Sequence, residues 1–120
     1  MRDWRKMLAA KKLVLADGAW GTELARRGLP PGEPPERWNL DRPDEVRALA
    51  EDYVQAGSDI IITNTFGGSP LKLARVGLAD RVAEVNRRGV ELSRQAAGPD
   101  RLVFASMGPT GEFMAPLGSL

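Results

Sequence analysis

Three polar runs in this chain begin where an apolar stretch gives out: Asp17-Gly18-Ala19-Trp20-Gly21-Thr22, Thr63-Asn64-Thr65-Phe66-Gly67-Gly68 and Gly108-Pro109-Thr110-Gly111. Parallel α/β proteins put their ligands at the carboxyl ends of strands. Asp17 offers a carboxylate at such an end, and Gly18 lets a ligand approach the backbone. Asn64, Thr65 and the Phe66 ring suit the orientation of a small polar ligand. The glycine-flanked run holding Gly108 and Thr110 would turn backbone N–H groups toward a carboxylate or phosphate. Each run also has a plainer reading as a turn. Asp-Gly is a common turn dipeptide, Asn and Thr bond to their own backbone, and Gly-Pro-Thr-Gly fits a type II-like turn. A fourth run, Trp38-Asn39-Leu40-Asp41-Arg42-Pro43, reads as structural, pinning a loop and starting a helix. Trp20 reads as either a cover over a pocket or packing, and Tyr53 as core.

The residue types that are missing narrow the chemistry. The chain has no cysteine and no histidine, so it cannot build a Cys- or His-ligated metal site or a Ser–His or Cys–His nucleophile pair. No catalytic group and no metal ligand is assigned. Gly18-Ala19-Trp20-Gly21 is not a dinucleotide fingerprint, and no Walker-type phosphate loop occurs. With 17 basic against 16 acidic residues the net charge is +1, which gives no electrostatic footing for nucleic acid or an anionic membrane. The charged start is unlike a signal peptide, and no apolar run approaches the ~20 residues that cross a bilayer. The expected setting is the cytoplasm, and 120 residues make one domain or part of one.

The elements that must hold the runs follow from periodicity. A short lead-in helix is predicted around Asp3 to Ala10. Leu13-Val14-Leu15-Ala16 reads as a strand buried on both faces. A short helix over Thr22 to Arg27 ends at Gly28, and the proline-rich run from Pro30 to Pro35 reads as a stiff loop. Pro43, Asp44 and Glu45 open a helix whose apolar face carries Val46, Leu49, Ala50, Tyr53 and Val54, with Gly57 as its stop. Ile60-Ile61-Ile62-Thr63 is the second strand, followed by a turn of helix from Leu71 to Val76. Asp80 is the expected N-cap of a further helix, lined on one side by Val82, Val85, Gly89, Val90, Ser93 and Ala97. Leu102 to Ala105 is the third strand, and Met107 to Leu120 a loop. Strand, helix, strand, helix, strand implies an α/β fold with a parallel sheet. An open doubly wound sheet and the opening of a (β/α)8 barrel both satisfy that order.

Taken together, the four runs resemble the homocysteine S-methyltransferase family, in particular the homocysteine-binding module of its modular, cobalamin-dependent members. The resemblance runs from about Trp4 to the end. It implies an α/β fold consisting of about three βα units of a (β/α)8 TIM barrel, with residues 1–120 as the N-terminal part of a homocysteine-binding domain. It implies a methyltransferase that binds homocysteine and activates its sulfur on zinc, with methylcobalamin on other modules as donor, and with the remaining barrel and cobalamin and folate modules, or a separate donor protein, as partners. A sister activity with a betaine or S-methyl donor, and a stand-alone α/β binding domain without catalysis, are the alternatives. By the resemblance Asp17 binds the substrate ammonium, while Gly18, Ala19, Asn64, Thr65, Phe66, Gly108 and Thr110 line the pocket. The family's zinc-binding cysteine segments are absent from these 120 residues, so the chain by itself is expected to be inactive.

Overall fold

A computed structural model describes residues 3–120. Its centre is a parallel pair of strands, β1 (Ile60–Ile62) and β2 (Leu102–Phe104), in the register Ile60↔Leu102, Ile61↔Val103 and Ile62↔Phe104. Six helices surround the pair in chain order: α1 (Trp4–Ala9), α2 (Gly21–Arg26), α3 (Trp38–Asp41), α4 (Pro43–Gln55), α5 (Pro70–Ala74) and α6 (Val82–Ala97). Among the described residues, no helix is long and apolar enough to cross a membrane.

Local chemistry explains the two long helices. Pro43 occupies the first turn of α4, where its missing N–H costs nothing, and Asp44 and Glu45 sit at the positive end of the helix dipole. The chain leaves α4 through Gly57, whose φ of 100° favours glycine. Helices α4 and α6 pack over the sheet, burying Ala50, Ile61 and Ala97 together. A second cluster joins Leu24, Trp38, Val46, Leu49 and Leu92, and a third joins Leu73, Leu78 and Val85.

The expected first strand is only a bridge. Ala16 pairs in parallel with Ile60; Leu15 O accepts from Ile60 N (3.2 Å) and Asp17 N donates to Ile60 O (3.0 Å). Asp59 anchors this segment from below. Its carboxylate pairs with Lys11 and accepts from Leu15 N, which together hold its pKa below the ordinary value. Burial on both faces does not hold here. Leu13 is 78% exposed and Leu15 is exposed too, because the helices cover one face of the sheet. On β1, accordingly, Ile61 is buried while Ile60 and Ile62 are half-buried.

Three smaller expectations are also corrected. Asp80 does not cap α6: a 3-10 turn, Ala79–Arg81, precedes the helix and takes Asp80 inside it, leaving Arg81 at the N-cap position without a side-chain capping bond. Val90 is exposed and Leu92 is buried in its stead. Five residues beyond Val85 is about 140° round the helix, whereas seven returns to the same face. Pro35, read as loop, opens a 3-10 turn, Pro35–Arg37.

The exposed apolar side chains gather on the first segment, the end of β2 and the final loop; Met107 is 91% and Leu117 85% exposed. Open strand edges and uncovered apolar faces of this kind drive association. The 120-residue chain in dilute buffer is therefore expected to self-associate, as light scattering would show. A monodisperse monomer with one cooperative melting transition would contradict this.

Candidate functional site

The loops leaving the first segment, β1 and β2 meet at the carboxyl end of the sheet, and what fastens them is a polar network. Asn39, wholly buried on α3, donates from Nδ2 to Asn64 O (2.8 Å) and Val85 O (3.1 Å). Its Oδ1 accepts from Asn64 Nδ2 (2.8 Å), which also donates to Pro35 O (2.9 Å). Thr63 and Thr65 tie the β1 exit to the β2 exit. Thr65 donates to Ser106 O (2.7 Å), so the Thr63 hydroxyl donates to Thr65 Oγ1 (2.6 Å) while accepting from Ser106 N (3.0 Å). Helix α6 reaches this network through Gly89: a Cβ there would stand 2.7 Å from Thr65 Cγ2 and 2.8 Å from Asn39 Nδ2.

Above the network lies a cleft of about 500 Å³, bordered by Gly18, Trp20, Glu36, Ile62, Asn64 and Phe66, with Lys72 also in its lining. A smaller hollow of about 220 Å³, on Thr65, Gly108 and Met107, shares Phe66 with it. The larger space is of small-ligand size.

Asp17 stands directly behind the cleft wall. Its Oδ2 accepts from Trp20 Nε1 (3.0 Å) and Ile62 N (2.8 Å), and both donor residues border the cleft. Among the described residues, Asp17 Oδ1 is the buried side-chain oxygen left without a hydrogen-bond partner. Burial pushes the Asp17 pKa above its ordinary 3.8, against the opposing pull of the Ile62 and Trp20 bonds. Tyr53, half-buried on α4, donates to Ala19 O (2.7 Å) and closes over Gly18, where a Cβ would meet its hydroxyl at 3.0 Å. Tyr53 thus shapes the site as well as the core.

The residues singled out from sequence fare differently. Asp17, Gly18, Asn64 and Phe66 come together around the cleft, but the Asn64 amide hydrogens and both threonine hydroxyls already have protein partners. Gly108 faces the smaller hollow, and its N–H donates to Phe66 O (3.0 Å). Ala19 contributes its carbonyl to Tyr53. Thr110 borders neither space, and its hydroxyl oxygen accepts from Glu112 N (3.2 Å). Two residues were missed. Glu36 is 3% exposed, accepts from Gly67 N through Oε1 (2.6 Å), and lines the cleft. Lys72 places Nζ 5.1 Å from the Phe66 ring centroid. Neither carries a sequence signal beyond its residue type.

Comparison with known proteins follows the same lines. The family model described as homocysteine S-methyltransferase matches residues 14–119. The chain is 33% identical over 114 residues to a methionine synthase of Mycobacterium tuberculosis, covering 83% of this chain and 9% of that protein. It is 30% identical over 125 residues to a homocysteine S-methyltransferase of Escherichia coli, covering 92% of this chain and 40% of the relative. The crystal structure of the homocysteine methyltransferase MmuM from Escherichia coli, in its metallated form, superposes with a TM-score of 0.79 at 30% identity, over 89% of this chain and 41% of that one. The chain therefore spans well under half the length of these relatives.

Because Asn39 is wholly buried and holds Asn64 from both ends of its amide, Asn39→Ala leaves buried polar atoms unpaired. The expected loss of stability is about 1–3 kcal/mol, read from denaturant unfolding, with freer proteolysis of the 63–68 loop. An unchanged midpoint would show that the network is dispensable.

Proposed function

The chain belongs to the homocysteine S-methyltransferase family, and we propose that it forms the amino-acid-binding side of a homocysteine pocket at the mouth of a (β/α)8 barrel. The parallel order of the first segment, β1 and β2 supports the barrel reading, as does the likeness to part of a larger homocysteine methyltransferase. The observation that carries the substrate reading is Asp17 Oδ1, a buried carboxylate oxygen with no partner. Such an atom is costly unless a cationic donor arrives, and the ammonium group of homocysteine is one. Gly18 and Phe66 then form walls, and Asn64 and Thr65 act by fixing the loop that carries Phe66. Gly108 supports Phe66 from behind, while Ala19 and Thr110 take part through the shape of their loops.

The zinc implied by the family does not fit the donors of this chain. It has neither cysteine nor histidine, and among the described residues no three acidic groups cluster. The part of the reaction derived from these residues is therefore substrate capture and orientation. Methylcobalamin is the proposed donor, brought by other modules of a cytoplasmic methyltransferase; the cleft of about 500 Å³ has room for an amino acid and lies in the small-ligand range.

Asp17 links this role to pH. An acid whose folded pKa lies above its unfolded value stabilises the fold when protonated; that contribution is complete below the ordinary 3.8 and is lost as pH rises through the folded pKa. Ionised Asp17 thus weakens the fold at neutral pH, and a bound ammonium offsets the cost. Asp17→Asn keeps an oxygen acceptor for Ile62 N and Trp20 Nε1 but removes the charge. In the intact protein this variant is expected to melt no lower than wild type and to lose affinity for homocysteine by about ten- to a hundredfold, the equivalent of one charge-assisted contact. Wild-type affinity is expected to fall as pH drops through the Asp17 pKa, and the variant to lack that limb of the profile. Calorimetric titration of both proteins across pH checks this; unchanged affinity in Asp17→Asn would reduce Asp17 to a turn residue.

A further inference from the structure

The pairing of the first segment with β1 ends in a substituted rung. A parallel ladder spaces its bonds evenly between the strands: Ile60 N donates to Leu15 O (3.2 Å) and Asp17 N donates to Ile60 O (3.0 Å). The next rung of that pattern would run from Ile62 N to the main-chain carbonyl of Asp17. Ile62 N donates instead to the Asp17 side chain, at Oδ2 (2.8 Å). The same oxygen accepts from Trp20 Nε1 (3.0 Å). Two donors, one from the strand and one from the residue that precedes α2, thus converge on Oδ2, while Oδ1 is buried and without a partner.

The indole that makes this contact is itself anchored. Trp20 packs against two core clusters, one holding Leu24 and Leu49 and the other holding Ala50 and Ile61. Its carbonyl accepts from Leu24 N (2.9 Å), and Leu24 has no exposure. The N–H is therefore a fixed donor aimed at a group that otherwise turns easily, since the last torsion of an aspartate is broad. An indole nitrogen donates and never accepts, so it favours the charged carboxylate. With two donors on Oδ2, the acceptor capacity left on the carboxylate is concentrated on Oδ1.

We propose that Trp20 is a positioning residue: its indole N–H, acting with Ile62 N, fixes the Asp17 carboxylate so that Oδ1 alone is left for a cationic ligand group. That the cation is the homocysteine ammonium rests on the function proposed above; the tie between Trp20 and Asp17 does not. The tie also acts on the proton. Burial raises the Asp17 pKa, and the Ile62 and Trp20 bonds oppose that rise, so losing the indole N–H raises it further. Among the elements around Asp17, β1 carries no ionisable side chain and α4 brings the Tyr53 phenol, bonded to Ala19 O. Helix α2 brings Glu23 and Arg26, which pair with each other (2.7 Å).

The test is Trp20→Phe, which keeps an aromatic ring and removes the donor, made in the intact protein with Asp17 and in the Asp17→Asn background. Without ligand, the drop in melting temperature caused by Trp20→Phe is expected to grow as pH rises through the Asp17 pKa. In the Asp17→Asn background the same drop is expected to be independent of pH. In calorimetric titration across pH, Trp20→Phe is expected to move the acid limb of homocysteine affinity upward by about one pH unit, the scale of one hydrogen bond to a charged group. Should Trp20→Phe fail to fold, the benzothiophene isostere of tryptophan placed at position 20, with sulfur for N–H, makes the same comparison with the ring volume kept. A melting penalty equal at every pH, or an unmoved acid limb, would overturn the assignment and leave Trp20 as packing, with the homocysteine site standing. No homocysteine binding by wild type, beside a melting penalty that follows pH only when Asp17 is present, would overturn the homocysteine reading and uphold the tie.

Discussion

The bonds between Asn39 and Asn64 are what the site depends on. A loop leaving a parallel strand has no ladder of its own, and its buried amides need partners. Here the side chain of Asn39 stands in for a missing strand, accepting from and donating to residue 64 in the same plane of contact. The 3-10 turn beginning at Pro35 is caught through its carbonyl by the same Asn64 amide. Helix α3 is only four residues long, too short to persist by its own hydrogen bonds. It survives because Trp38 is packed in the core and Asn39 is locked in polar contact, and in turn it places Glu36 beside Gly67.

Charge is distributed over this frame unevenly. Surface pairs such as Arg26 with Glu23 or Arg88 with Glu91 lie on exposed helix faces and contribute little. The cleft region instead collects charged groups that have no ion-pair partner among the described residues: Asp17, Glu36 and Lys72. Such groups cost stability, and a fold keeps them at the place where a ligand repays the cost. The hydroxyls and amides nearby, of Thr63, Asn64 and Thr65, are spent on holding the loops in register. On the proposed function, charge recognises the ligand, while the neutral polar groups fix where the charges stand.

Much of this was legible in the sequence wherever the signal is local. Helix α4 is specified by Pro43 and the acidic pair behind it, and the parallel order by three apolar runs separated by helical periods. The Trp38-to-Pro43 run announced its structural role through residue types alone. Burial was less legible, since it depends on what lies opposite. Leu13 and Leu15 look like core in a one-dimensional reading but face outward where no helix crosses them. Glu36 was invisible for a related reason: a glutamate in a proline-rich stretch reads as solvated, and only the return of the chain at Gly67, thirty-one residues later, encloses it. Lys72 was hidden by its setting on a five-residue helix with no long periodic face to betray the cleft.

Gly89 has an implication for how such a chain can change. Its missing side chain is the space occupied by the Thr65 methyl and the Asn39 amide, with Asn64 O close behind. Positions 39, 65 and 89 therefore share one volume and cannot drift separately. A methyl gained on α6 must be matched by atoms surrendered from the loop or from α3, and either surrender releases Phe66 and Glu36. Across related sequences these three positions should vary as a single correlated unit, and a designer who wishes to reshape the cleft will find its handle on the far side of the wall, at a residue that no ligand touches.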